Sequence, residues 1–258
     1  MTTVDLFHTD LGPEDAPAVL LVHGWGSDGR EWSWHSEALE DDFRVIVPDL
    51  RGHGRSPVLE KHNTPLDMAH DLAVLVARLG CGPVVAVGHS MGGQVVNLMA
   101  VHHPDVVHSV IALDPAHGAP EADLAFIRPN LAAYEKNGSE EAADFIEAAL
   151  AKTAPPGLRA AHVRSILGTP GHVIAQSYAG MYLDAGAVGI RPYSEQYLHM
   201  RSCPSLTVWT SEAMAAWERT TLHVAGSRVE HWAATGHYLH EERPKRTSRL
   251  ISDWVQSQ

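Results

Sequence analysis

The chain has 258 residues, 45% hydrophobic and 19% charged, an ordinary balance for a protein with a large apolar core. Its formal net charge of −12 weighs against nucleic acid or an anionic membrane as a partner. Two cysteines, Cys81 and Cys203, are too few for a disulfide framework. No basic stretch followed by an apolar core opens the chain and no apolar run is long enough to span a bilayer, so the expected compartment is the cytoplasm. Eighteen histidines are many, yet no His-Glu-x-x-His or Cys-x-x-Cys spacing groups them into a metal site. Most are expected on the surface or in loops, and no metal or organic cofactor is expected.

Ala18 to Val22 reads as a buried parallel strand, short and apolar throughout. The turn after it, His23-Gly24-Trp25-Gly26, lets the backbone bend closely at Gly24. Phe43 to Val47 is the next strand, ended by Pro48-Asp49. A helix is expected from about Pro65 to Leu79, with Leu66, Ala69, Leu72, Ala73, Leu75 and Val76 forming its buried stripe. The apolar run Pro83 to Val87 then passes through Gly88-His89-Ser90-Met91-Gly92 into a helical stretch that starts at Gly93. In that strand–turn–helix context a Gly-x-Ser-x-Gly pattern is a nucleophile elbow. The turn is too sharp for side chains at its flanks, and it lifts Ser90 toward the first amides of a helix, where developing negative charge is favoured. His108 to Leu113 is another strand, closed by Asp114-Pro115.

From about Ala116 to Cys203 no buried-strand run occurs, only helical stretches punctuated by Asn137-Gly138, Pro155-Pro156-Gly157 and Pro170-Gly171. Strand character returns at Leu206 to Trp209 and Arg228 to Trp232, and the last helix spans about Pro244 to Trp254. The expected architecture is α/β, a mostly parallel sheet flanked by helices. Residues 1–115 and 204–258 would form its core, with 116–203 a helical cap inserted between two strands.

A serine hydroxyl needs a base within hydrogen-bond reach. In the elbow fold that base is a histidine near the chain end. His237, in Thr235-Gly236-His237-Tyr238-Leu239 between the last strand and last helix, fits; His231 lies within a strand, and His240 is the main competitor. Oxyanion donors are expected at the backbone amides of Met91, after the serine, and Trp25, in the first turn. Tyr178, Met181 and Tyr182 share one helical face of the cap; such residues are more often packing than ligand contacts. An apolar cap nonetheless suits a medium-sized hydrophobic substrate.

His23-Gly24-Trp25, Asp49-Leu50-Arg51-Gly52-His53-Gly54-Arg55-Ser56, Gly88-His89-Ser90-Met91-Gly92-Gly93 and Gly236-His237 together resemble the α/β-hydrolase superfamily over essentially the full chain. The Asp49–Ser56 stretch is expected to be a structural turn. The resemblance implies a serine hydrolase acting on a small carboxylic ester or lactone through an acyl-enzyme. A serine at the elbow sets the chain apart from haloalkane dehalogenases and epoxide hydrolases of this fold, which carry aspartate there. Most members place the triad acid just past the strand after the cap, a position that corresponds to Ala213. Asp114 is the favoured substitute, at a location some members use, with Glu212 the alternative. Two rival activities are compatible with the resemblance. Cofactor-free ring-cleaving dioxygenases share the His23-Gly24-Trp25 and Arg51-Gly52-His53-Gly54 stretches and an acid at the place of Asp114, and small-ligand receptors of this fold keep the serine–histidine pair.

Overall fold

Strands that are apolar on both sides are stable only in a sheet covered on both faces. The computed structural model, which describes residues 2–258 (residue 147 by its backbone alone), contains such a sheet. Its strands are β1 (His8–Leu11), β2 (Ala18–Val22), β3 (Arg44–Pro48), β4 (Val84–His89), β5 (Val107–Leu113), β6 (Ser205–Trp209) and β7 (Arg228–His231). They lie in the order β1-β3-β2-β4-β5-β6-β7, all parallel except β1, which pairs antiparallel with β3 at one edge. Around the sheet lie α1 (Ser33–Leu39), α2 (Pro65–Leu79), α3 (Met91–His102), α9 (Glu212–Arg219), α10 (Leu239–Glu242) and α11 (Pro244–Gln256). Between β5 and β6 the chain forms α4 (Leu124–Asn137), α5 (Ser139–Ala149), α6 (Leu158–Gly168), α7 (Gly171–Tyr182) and α8 (Arg191–Leu198).

The period of two along each strand sorts the core into two layers. Val19, Leu21, Val85, Val87, Ile111 and Leu113 pack with Trp32, Leu239, Ile251 and Trp254. Their neighbours Leu20, Val22, Ala86, Val110 and Ala112 point the other way, onto Met68 and Leu72 of α2 and Val95 and Met99 of α3. This second layer continues without a break into the helical insertion through Ile127, Ile166, Ile174 and Met181. Helix α2 holds its bounds by a capping box between Thr64 and Asp67 and by Gly80, whose φ of 61° ends it. Helix α7 approaches it so closely that a Cβ on Gly180 would lie 2.8 Å from Pro65 Cδ and Thr64 Cβ.

β1, α1 and α9 are not anticipated by the sequence reading. β1 is a four-residue edge strand with an exposed middle, and α1 is seven residues long, too short to reveal a period. Most of the eighteen histidines are exposed or partly exposed, whereas His23, His35, His53, His89, His117, His162 and His240 are buried, the first, third and fifth of these in loops. Stacked aromatic neighbours and carboxylate or backbone partners let an imidazole sit in a core that a lysine could not enter. The Asp49–Ser56 stretch does form a turn: Asp49 accepts from the Gly29 and Arg55 amides at 2.8 Å each, and Ser56 donates back to the Asp49 carbonyl at 2.5 Å.

Strand β2 has β3 on one side and β4 on the other, so successive connections leave it in opposite directions. The loops after β2 and β4 diverge at that point, opening a crevice beyond the strand ends, where α/β sheets bind ligands. The Gly24-Trp25 turn follows β2, Ser90 follows β4, Asp114 follows β5 and Thr210 follows β6.

Candidate active site

Ser90 occupies a backbone conformation that L-residues avoid, with φ 52° and ψ −117°. Such strain costs on the order of 1–3 kcal/mol and persists only where the surroundings enforce it. Here the Ser90 amide donates to Leu113 O at 3.0 Å, and its carbonyl accepts from Ala116 N at 2.9 Å and Gln94 N at 3.2 Å. The flanking glycines are sterically required: a Cβ on Gly88 would lie 2.2 Å from Gly92 O, and one on Gly92 would lie 2.3 Å from Val22 O.

His237 Nδ1 lies 2.6 Å from Asp114 Oδ2. The other carboxylate oxygen, Oδ1, accepts from the Thr210 amide at 3.0 Å and the Thr210 hydroxyl at 2.9 Å. Burial on its own would raise the Asp114 carboxyl, but the hydrogen bond and charge of His237, with the two Thr210 donors, hold it below its ordinary value. The backbone around His237 is pinned from three sides. Its own amide donates to Ala149 O at 2.8 Å, the Gly236 amide donates to Glu242 Oε2 at 2.8 Å, and His89 Nε2 lies 3.0 Å from its carbonyl. Glu212 stands elsewhere, in the first turn of α9, with its side chain 58% exposed and its oxygens on Arg219 (2.8 Å) and His231 (3.0 Å).

Met91 is the first residue of α3, so its amide has no intrahelical acceptor. Among the described residues the Trp25 amide makes no hydrogen bond, whereas its indole Nε1 donates to Ile174 O (3.1 Å) and Ser177 Oγ (3.0 Å) of α7. The neighbouring Gly24 comes so close to the elbow that a Cβ there would sit 3.4 Å from Ser90 Cβ. Ser90 and His237 line one cavity of about 300 Å³. Tyr178, Met181 and Tyr182 line it as well, with Trp25, Tyr134 and Phe145 completing an aromatic wall. Asp123 and Asn130 add polar groups to its wall, and among the described residues no lysine or arginine lines it.

Beneath the turn, the Glu31 side chain is completely buried and pairs with the imidazoles of His89 and His240, while Arg30 and Arg164 line the small pocket beside it. Burial would raise its carboxyl, but the charges of His89 and His240 and their hydrogen bonds hold it well below the ordinary range. Glu31, His89 and His240 have the donor chemistry of a metal site. Their spacing argues otherwise: Glu31 Oε1 is 2.8 Å from His89 Nδ1 and 3.2 Å from His240 Nε2. Bonds of about 2.0–2.1 Å to a tetrahedral zinc would hold the ligand atoms about 3.3 Å apart. The shorter contact is that of a shared proton. Thr210, Glu31 and Glu242 are the site residues that sequence reasoning missed. None belongs to a motif; Glu31 and Glu242 become visible only by the backbone amides they accept from, and Thr210 by the amide and hydroxyl it donates to Asp114.

A family model described as alpha/beta hydrolase fold matches residues 17–151. A lipase of Mycobacterium tuberculosis is 39% identical over 113 residues, 44% of this chain and 42% of the relative. A bifunctional esterase/perhydrolase of Acinetobacter calcoaceticus is 38% identical over 103 residues, 40% of this chain and 37% of the relative. The chain thus spans less than half the length of these curated relatives. Among solved structures, a thermophilic esterase from Thermogutta terrifontis superposes with a TM-score of 0.83 at 30% identity, covering 98% of this chain and 94% of its own. The enol-lactonase from Burkholderia xenovorans reaches 0.84 at 20% identity, covering 98% and 97%, a likeness of fold alone. With just over half of its length matched by the family model, and a 30% identical structure aligned along nearly all of it, the chain belongs to the α/β-hydrolase fold family.

Proposed function

We propose that the protein is a serine hydrolase that cleaves a carboxylic ester or lactone of a medium-sized hydrophobic substrate through an acyl-enzyme. The observation that carries this reading is the opening of the Ser90 elbow and the His237–Asp114 pair into one aromatic-walled cavity. Ser90 Oγ attacks the carbonyl carbon while His237 Nε2 takes its proton. Asp114 holds the proton on Nδ1, so that the opposite nitrogen is the basic one, and stabilises the imidazolium that forms. The Trp25 and Met91 amides bind the oxyanion. The alcohol leaves with the proton from His237, and water, activated by the same histidine, releases the acid.

Residues 116–203 act as a cap whose Tyr178, Met181 and Tyr182 bound the acyl or alcohol group. The lack of a basic lining side chain, together with Asp123 in the wall, favours substrates without a negative charge. Relatives named lipase and esterase support the same reaction class. The test is Ser90→Ala, assayed with p-nitrophenyl butyrate, beside fluorophosphonate labelling of the wild type. Turnover should fall by orders of magnitude with folding intact, and the label should map to Ser90. Undiminished turnover, or a label elsewhere, overturns the reading.

A further inference from the structure

We infer that Glu31 is a positioning residue for this site, tying the oxyanion turn to the histidine loop through His89; the inference rests on the reading just proposed. Glu31 sits in the short helical turn Gly29–Trp32, outside the cavity lining, and among the described residues its polar partners are Gly24, His89 and His240. Both of its oxygens face the Gly24 amide, at 3.3 and 3.2 Å, and Oε1 is also 2.8 Å from His89 Nδ1. His89 carries the link onward, with Nε2 3.0 Å from the His237 carbonyl. A carbonyl only accepts, so that nitrogen must donate.

One carboxylate therefore braces two separate loops. Gly24 directly precedes Trp25, whose amide is an oxyanion donor in the proposed reaction. His237 supplies the base, and its carbonyl is the anchor that His89 holds. Gly24 follows β2 and His237 follows β7, so the two loops leave the sheet at different strands and this chain of bonds joins them. Burying a carboxylate whose partners are imidazoles and a backbone amide is costly. The bonds it makes run toward the reacting groups, and a displacement of about 1 Å there costs roughly a hundredfold in rate.

The amide of a glutamine at position 31 could still accept from Gly24 with its oxygen and donate to His89 Nδ1, leaving His89 Nε2–H on the His237 carbonyl. An alanine could do neither. For Glu31→Ala we expect kcat for p-nitrophenyl butyrate to fall roughly 30- to 100-fold with KM within about threefold, and the fluorophosphonate labelling rate of Ser90 to fall alike. Glu31→Gln should recover activity to within about fivefold of wild type. A purely structural role would lower melting temperature without this split between kcat and KM or this rescue. Should Glu31→Ala not fold, His89→Phe in the Glu31→Gln background carries the same test, since it keeps an aromatic ring beside His240, where the two ring centroids lie 4.3 Å apart, and deletes both bonds. A folded Glu31→Ala enzyme with kcat within threefold of wild type, or a Gln variant as slow as the Ala variant, overturns the inference. A wild type that neither turns over esters nor labels at Ser90 would instead overturn the proposed function.

Discussion

Asp114→Asn tests the acid of the proposed triad, and the local hydrogen bonding dictates its outcome. Oδ1 of Asp114 faces two donors, the amide and the hydroxyl of Thr210, at 3.0 and 2.9 Å. An asparagine must therefore turn its oxygen toward Thr210 and its NH₂ toward His237. Nδ1 of His237 then becomes an acceptor, the ring proton moves to Nε2, and the nitrogen needed to take the serine proton is blocked. Loss of the correct tautomer in a Ser-His-Asp site costs about ten-thousandfold. We expect a fall in kcat of at least about a hundredfold, or about 2.7 kcal/mol of barrier. The backbone should survive, because Asp114 has φ 43° and asparagine tolerates that region as readily as aspartate. The depressed Asp114 carboxyl gives stability that is present above its unfolded value and lost as pH falls through its lower folded value. The assay is steady-state hydrolysis of p-nitrophenyl butyrate, with Glu212→Gln beside it. That exposed side chain should be dispensable. A folded Asp114→Asn enzyme with full activity, or a dead Glu212→Gln enzyme, would refute the reasoning.

Two further outcomes follow from the cavity and the buried histidines. The p-nitrophenyl monoester of succinate should be hydrolysed at least roughly tenfold less efficiently than the butyrate, since a carboxylate would meet Asp123 and no lysine or arginine. Asp123→Asn should narrow that gap, and equal kcat/KM values for the two esters in the wild type would exclude the charge argument. His35 packs against Trp32 and His240, and burial pushes its imidazole down to about 4. The unfolded chain protonates first, so stability is full above about pH 6.5 and declines below it, by about 2 kcal/mol at pH 5 for this group. Denaturant melts of His35→Phe at pH 7 and pH 5 should show a shallower loss than wild type; identical slopes would remove His35 from the acid sensitivity.

Much of the framework was legible because it depends on local rules. Strand-like runs of four to six residues, the apolar stripe of Pro65–Leu79 and the Gly-x-Ser-x-Gly turn each act over a few neighbouring residues, and they foretold β2 to β7, α2 and the elbow to within a residue or two. β1 and α1 escaped because their burial is decided by what lies beside them. The same limit applied at the site. Ser90 and His237 could be picked from motif and position, whereas Asp114 and Glu212 were equally carboxylates near a strand end. Only the placement of β5 beside β6 set Asp114 against Thr210 and His237, while α9 turned Glu212 out to Arg219 and His231. Glu31 is the sharpest case: 58 residues separate it from His89, and no pattern marks it. Sequence by itself determined which segments fold and which serine is lifted out of its turn, because those are properties of neighbouring residues. Which carboxylates and histidines meet was decided by the tertiary structure, because a hydrogen bond between distant residues exists only once the sheet order has brought their loops to one edge.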